Sequence, residues 1–142
     1  MFSKIIRPAV VVLTLIPAAA VAELPTLTVK VNGADPATGV VEISVFDSAE
    51  NFFKAAFLQN SCKPSEDGSC SVEFAAVNEG DYAVVAVHDA NDNKKLDNGF
   101  MGFGAERFGY SNDASNPLFG RASFDDAKFT VSESTEIEIK LD

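Results

Sequence analysis

Short segments of alternating apolar and polar residues recur along this chain. Residues 27–31 (LTVKV), 41–45 (VEISV) and 136–141 (EIEIKL) each place an apolar side chain at every second position. A period of two with one polar face is typical of a β-strand that covers one side of a core. These three segments are therefore predicted to be strands with one face in solvent.

Three further segments extend this prediction. Residues 82–88 (YAVVAVH) are apolar on both faces, which suits a central strand, and residues 70–74 and 127–131 are also strand candidates. Glycine and asparagine turn signals separate the segments. Six or so short strands with such turns predict an all-β fold, namely an antiparallel β-sandwich.

Residues 48–59 (SAENFFKAAFLQ) break the alternation. Phe52, Phe53, Ala56 and Phe57 recur at helical spacing, and Ser48 is suited to cap a helix N-terminus. The pattern predicts one short helix or helical loop whose phenylalanines cover the core.

Residues 89–126 show little periodicity and are rich in glycine, asparagine, aspartate and phenylalanine. So long a segment within a compact domain is usually functional or held in place by other groups. Because it contains aromatic anchors, a long ordered loop is predicted. These anchors are Phe100, Phe103, Phe108, Tyr110, Phe119 and Phe124.

The N-terminal segment has the layout of a secretory leader. Lys4 and Arg7 precede an apolar run, and residues 20–22 (AVA) match a small-residue cleavage site. The apolar run is shorter than the ~20 residues that a membrane-spanning helix needs. Residues 1–22 are therefore expected to be a signal peptide and residues 23–142 the β-sandwich domain. The mature protein is expected to be periplasmic or extracellular, with no transmembrane segment after cleavage.

The charge balance narrows the range of partners. The chain carries a formal net charge of −10, and cleavage of the leader removes two further positive charges, Lys4 and Arg7. Such an acidic surface argues against nucleic acid and anionic membranes as partners. It suits simple solubility or cation binding, and the expected partner is a protein or an envelope component.

Cys62 and Cys70 are the only cysteines, and they bound the polar stretch CKPSEDGSC. In an oxidising compartment such a pair is expected to form a disulfide. Two thiolates alone cannot complete a tetrahedral metal site, and the spacing is not that of a C-x-x-C redox pair.

A run of oxygen-bearing side chains follows the central strand, in residues 88–97 (HDANDNKKLD). Asp89, Asn91 and Asn93 occupy alternate positions, Lys95 can offer its carbonyl oxygen, and Asp97 continues the series. Ca²⁺ prefers about six to eight oxygen ligands, and this order matches the first part of an EF-hand loop. The segment therefore predicts a calcium site, with Mg²⁺ disfavoured because it retains water ligands.

A true EF-hand is excluded. Lys94 replaces the usual glycine, Phe100 replaces the bidentate glutamate, and a strand rather than a helix precedes the loop. A carboxylate from elsewhere would have to complete the shell. The nearest candidates in sequence are Glu106, Asn112 and Asp113. The alternative is a solvated turn in which Asp and Asn side chains bond to their own backbone.

An enzymatic alternative and a binding alternative stay open. His88 or Glu106 could be the acid–base group of a hydrolase acting on an envelope polymer, although a histidine at a strand end is more often structural. Loop aromatics exposed together would indicate a carbohydrate-binding module; these are Phe100, Phe103, Phe108 and Tyr110. No nucleophile motif or glycosidase dyad stands out, so a non-enzymatic domain is preferred.

Four motifs follow one another from residue 80 onwards. A strand ending G-x-Y-A leads into an H-D-x-N-x-N-x-x-L-D turn, then a G-x-P-x-E-x-x-G-[FY]-S-N segment and a closing F-x-x-A-x-F. The matching residues are Gly80, Tyr82, Ala83, His88, Asp89, Asn91, Asn93, Leu96, Asp97, Gly102, Glu106, Gly109, Tyr110, Ser111, Asn112, Phe124, Ala127 and Phe129. Together these motifs resemble a family of exported bacterial proteins, domain of unknown function 2141.

Gly104 stands where that family usually has proline, Lys94 stands where glycine is common, and the cysteine pair is peculiar to this chain. The resemblance implies an immunoglobulin-like or transthyretin-like sandwich in the periplasm or outside the cell, and it implies no reaction. The preferred hypothesis is an exported non-enzymatic domain whose long loop is ordered by Ca²⁺ and whose role is binding or envelope association.

Overall fold

The computed structural model describes residues 21–94, 106–115 and 121–142, so the predicted leader lies outside it up to residue 20. The strands in these residues are β1 (Leu27–Asn32), β2 (Val40–Phe46), β3 (Leu58–Cys62), β4 (Cys70–Phe74), β5 (Gly80–Asp89), β6 (Phe108–Tyr110), β7 (Phe129–Val131) and β8 (Thr135–Lys140). Ser111–Asp113 form a 3₁₀ helix and Phe124–Ala127 form α1. Within the described ranges, no helix has the length and apolar character needed to cross a membrane.

The strands form two sheets. β4, β1 and β8 make a three-stranded sheet, while β3, β2, β5 and β6 lie side by side in the second, where β7 pairs with the start of β5. This arrangement confirms the predicted all-β sandwich. All pairs are antiparallel except β1 with β8, which departs from the predicted antiparallel order. These are the first and last strands, so no short hairpin forces them to run in opposite directions.

The main core lies between the two sheets. Alternate residues of β1 and β2, such as Val29 and Ile43, are fully buried there together with Ile139 of β8. Burying one such side chain contributes about 1.5–3 kcal/mol, so this layer is a main source of stability. In β5, Val84 faces this core and Val85 faces a second cluster, which explains why the strand is apolar on both faces.

A second apolar cluster covers the other face of the five-stranded sheet. Phe46 of β2, Phe52 of the following loop and Phe124 of α1 pack there. The ring centroids of Phe46 and Phe52 are 5.2 Å apart, and those of Phe52 and Phe124 are 5.9 Å apart. Edge-to-face pairs at such separations add to the energy of area burial. The predicted role of Phe52 as core cover is confirmed, whereas Phe53 and Phe57 are 39% and 44% exposed.

The segment that follows β2 forms a helical loop, one of the two predicted forms. Ser48 Oγ accepts a hydrogen bond from Asn51 N, and Ala55 N donates to Asn51 O, which makes a single helical turn. Phe53 then adopts a left-handed φ of 60°. The predicted end at residue 59 is wrong because Leu58 already pairs with β2 as the first residue of β3.

The predicted strand at 127–131 is shorter than expected. Ser123 Oγ accepts a hydrogen bond from Asp126 N and so caps α1, which ends at Ala127 before β7 begins. A serine at this position satisfies one of the helix's free N–H groups. The predicted loop 89–126 is also partly regular, since its described part contains β6, the 3₁₀ helix and α1.

Both lateral margins of the sandwich are tied together. The sulfur atoms of Cys62 in β3 and Cys70 in β4 are 2.08 Å apart, so the predicted disulfide joins the two sheets on one side. On the other side, Asp142 N donates a hydrogen bond to Phe108 O over 3.1 Å. A Cβ added to Gly109 would lie 2.3 Å from the Lys140 carbonyl oxygen, so glycine allows β6 to approach β8 this closely.

Candidate metal centre

A group of acidic side chains lies at the end of β5. Asp89 continues the outward row formed by Ala83, Val85 and Val87, and Glu42 of β2 pairs opposite Val87. Diagonal neighbours on one face of a sheet are close enough for long side chains to interact. The register of β2 and β5 therefore brings Glu42 towards Asp89.

Asp89 fixes the turn that follows β5. Its Oδ1 accepts a hydrogen bond from Asn93 N over 3.1 Å, and its Oδ2 accepts one from Lys94 N over 2.6 Å. Asn91 Oδ1 also accepts from Asn93 N. These are the bonds of the predicted alternative, a turn in which Asp and Asn side chains cap their own backbone. They hold the buried Asp89 carboxylate in one position.

The Asp89 carboxyl favours its ionised form. Burial raises its pKa. Hydrogen bonds with the N–H groups of Lys94 and Asn93 and with the Glu106 side chain lower it, and together they outweigh burial, so the pKa of Asp89 lies below its ordinary value. Glu106 is also buried. Its side chain is a hydrogen-bond partner of the Asp89 carboxylate.

Three carboxylates converge at this point. Glu42, Asp89 and Asp92 each present an oxygen within 4.8 Å of the other two, and such a group could hold a metal ion. Donors that are all oxygen suit a hard cation such as Ca²⁺ or Mg²⁺ rather than zinc. Glu42 Oε1 is shielded from solvent and accepts no hydrogen bond from the described residues, so it fits a cation ligand.

Lys94 lies across two of these carboxylates. Its Nζ is 3.5 Å from Asp92 Oδ1 and 3.7 Å from Glu42 Oε1, and these two charges raise its pKa. The backbone of Lys94 has a φ of 59°, the left-handed conformation that glycine adopts most easily. The turn is therefore kept although lysine replaces the usual glycine.

The loop between β1 and β2 packs against the site. Gly39 has a φ of +59°, and a Cβ added there would lie 2.2 Å from the Asp89 carbonyl oxygen, so only glycine permits this approach. His88 Nε2 lies 2.7 Å from Thr38 O. Because a carbonyl oxygen only accepts, Nε2 carries the hydrogen and donates it. His88 is 1% exposed, so its side chain holds the loop.

The structure brings together part of the predicted ligand set. Asp89 belongs to the acidic group, and Glu106, one of the three candidates for completing the shell, is hydrogen-bonded to it. Asn91 directs its side-chain oxygen to the loop backbone. Lys95 and Asp97 lie outside the described residues.

Sequence reasoning missed two members of the acidic group. Asp92 falls between the alternate positions that defined the predicted series, and Glu42 lies on a distant strand. Glu42 shares its face of β2 with Ser44 and Phe46, so in sequence it has the appearance of an ordinary solvent-facing strand residue. Only the pairing of β2 with β5 connects it to the loop, and that pairing could not be read from spacing.

The serine–asparagine pair after β6 has a structural role. Fully buried Ser111 accepts a hydrogen bond at Oγ from Val84 N over 2.8 Å and donates to Ala127 O over 2.6 Å. Asn112 Nδ2 donates to Asp126 O over 3.0 Å. Asn112 was a candidate for the metal shell, but its amide ties the 3₁₀ helix to α1. The third candidate, Asp113, is not part of the acidic group described above.

The family described as an uncharacterized protein conserved in bacteria (DUF2141) matches residues 29–139. The chain belongs to the DUF2141 family. The match confirms the resemblance expected from the motifs, and it runs from β1 into β8 of this DUF2141 protein. No curated protein and no solved structure matches the chain.

The geometry of this DUF2141 protein gives little support to the hydrolase or the carbohydrate-binding interpretation. His88 and Glu106, the candidate acid–base groups of a hydrolase, are both buried. Of the aromatics that would form a carbohydrate platform, Tyr110 is buried and Phe108 is half-buried. The other two, Phe100 and Phe103, lie outside the described residues.

Proposed function

We propose that this DUF2141 protein is an exported, non-enzymatic β-sandwich domain whose loop after β5 is held by a calcium ion. It acts in the periplasm or outside the cell by binding a protein or an envelope component. The basic and apolar leader with its small-residue site supports export. The net charge of −10 disfavours nucleic acid as the partner.

The convergence of Glu42, Asp89 and Asp92 carries this proposal. Like charges this close repel each other, and the loop N–H groups keep Asp89 ionised. A divalent cation between the three carboxylates removes the repulsion and gives Glu42 Oε1, which accepts no hydrogen bond from the described residues, a closer positive charge than Lys94. Glu106, which is hydrogen-bonded to Asp89, is a further candidate ligand.

Calcium suits this donor set better than magnesium. Ca²⁺ accepts many protein oxygens in a flexible geometry, whereas Mg²⁺ needs a near-octahedral shell and keeps several waters. The remaining oxygens are proposed to come from the loop itself, at Asn91, Asn93, Lys95 and Asp97. In this proposal, folding of the loop is coupled to ion binding, because the ion holds these oxygens together.

Thermal melting in excess chelator, in CaCl₂ and in MgCl₂ tests the proposal. At a calcium concentration of about one hundred times Kd, binding adds about 2.7 kcal/mol to the unfolding free energy. For a domain of this size, that is an increase in Tm of about 10 °C. Magnesium is expected to have a smaller effect at the same concentration. If the melting transition is identical in chelator and in calcium, the loop binds no calcium, and the interpretation as a hydrogen-bonded turn alone is correct.

A pair of matched variants localises the ion. Glu42→Gln should remove most of the calcium-dependent increase in Tm, because it removes one charged ligand. Glu136→Gln makes the same chemical change at an exposed position on β8, where the carboxylate pairs with Lys30, and should retain the increase. Equal responses in the two variants would place the ion elsewhere. Export is tested separately by N-terminal sequencing of the envelope fraction, which should begin at Glu23.

A further inference from the structure

The ammonium group of Lys94 already occupies part of the space between the acidic side chains. Its Nζ contacts Asp92 Oδ1 at 3.5 Å and Glu42 Oε1 at 3.7 Å. This contact places a positive charge against two of the three clustered carboxylates. The Lys94 side chain is 74% exposed, so water lies on its other side.

Lys94 stands at a loop position where the backbone conformation favours glycine. Its φ of 59° lies in the left-handed region, where a side chain costs conformational energy and glycine does not. The Lys94 N–H donates to Asp89 Oδ2, so the residue cannot leave the turn without breaking that bond. Only its flexible side chain is free to move between the carboxylates and solvent.

We propose that Lys94 is a tethered cation that competes with the divalent ion for Glu42 and Asp92. This inference rests on the proposed function of the site. Without the ion, the ammonium group partly neutralises the two carboxylates. When the ion binds, the like charges repel and the Lys94 side chain moves into solvent while its backbone keeps the turn.

The competition sets the concentration range over which the site fills. The ion must break two exposed ion pairs, and each exposed pair corresponds to about 1.4- to fivefold in an equilibrium constant. Lys94 is therefore expected to weaken ion binding by about two- to twentyfold. Because exposed pairs are screened by salt, this difference should shrink as ionic strength rises.

Calcium titration of the purified full protein by calorimetry, at low and at high salt, tests the competition. Lys94→Met is expected to bind calcium about two- to twentyfold more tightly than the unaltered protein at low salt. Lys94→Gln serves as a second uncharged variant, and Lys94→Arg should stay close to the unaltered protein. Lys128→Met is the matched control, since it removes the same charge from an exposed pair with Asp125 and should leave the affinity unchanged.

The possible results separate this inference from the proposed function. Calcium binding by the unaltered protein with equal or weaker binding by Lys94→Met overturns the competition and leaves the calcium site in place. Equal gains in Lys94→Met and Lys128→Met also overturn it, because net charge then explains the effect. Absence of calcium binding in every variant overturns both the inference and the proposed function.

Discussion

Replacing Ser111 with alanine removes two hydrogen bonds from a fully buried position. Ser111 Oγ accepts from Val84 N of β5 and donates to Ala127 O of α1. A methyl group can form neither bond, and water has no access because Ser111 is 0% exposed. Two backbone groups therefore lose this partner.

The size of the effect follows from the cost of leaving buried polar groups without partners. Each such group costs about 1–3 kcal/mol, and some relaxation of α1 is expected, so the unfolding free energy should fall by about 2–4 kcal/mol. For a domain of this size, the change corresponds to a decrease in Tm of about 8–16 °C.

Urea unfolding followed by circular dichroism measures this loss, and the slope m should stay unchanged if the denatured state is unaffected. Ser44→Ala is the matched control, since Ser44 Oγ accepts a hydrogen bond from Gln59 Nε2 at a half-buried position. Its effect should stay within about 0.5 kcal/mol. If Ser111→Ala costs no more than the control, Ser111 does not link α1 to the sheet.

Three further changes have defined outcomes. Hydrogen bonds from Ser69 and Ser65 lower the pKa of Asp67, so its stabilising effect is present above the unfolded pKa of about 3.9 and is lost as the pH falls through the folded pKa. In urea unfolding, the stability difference between the unaltered protein and Asp67→Asn should therefore be present at pH 7 and shrink as the pH falls below the unfolded pKa of about 3.9. Gly109→Ala should lower the unfolding free energy by about 1–3 kcal/mol, because its Cβ meets the carbonyl oxygen of Lys140. Removing the disulfide by replacing both cysteines with alanine should cost about 2–3 kcal/mol, as the closed loop is short.

Each of these predictions can fail in a distinct way. A stability difference for Asp67→Asn that is independent of pH would remove the carboxylate charge from the explanation. Unchanged urea midpoints for Gly109→Ala would show that β6 moves away from β8 at no cost. A cysteine-free variant as stable as the oxidised protein would mean that the sheets are held without the covalent link.

Alternation predicted the strands that cover the main core, because one face of each is buried and the other is wet. β3 was missed since its sequence, LQNSC, is polar and its central three residues are exposed. β6 was missed because Gly109 interrupts the apolar pattern where close approach to β8 requires a residue without a side chain. Residues 124–127 form a helix because Ser123 caps them. This local signal was overlooked because the apolar pattern of residues 127–131 predicted a strand that begins at Ala127.

The candidate site could be predicted only as far as it is local in sequence. Asp89 and its turn follow from the alternating Asp and Asn residues, whereas Glu106 could be named only as one of three nearby candidates, without knowing whether it reaches Asp89. Glu42 could not be predicted, since its position depends on which strand pairs with β5 and in which register. Asp92 was passed over because the EF-hand pattern assigns no ligand to its position.

The two fastened margins of the sandwich affect how this domain can meet other molecules. Peptides often bind by adding a strand to an open sheet edge, and copies of a protein can aggregate in the same way. The disulfide between β3 and β4, and the hydrogen bond from Asp142 N to Phe108 O, restrain the two sheets from separating at the margins where such a strand would have to pair. The side chains of loops and sheet faces can then diversify in sequence while these two links keep the scaffold the same.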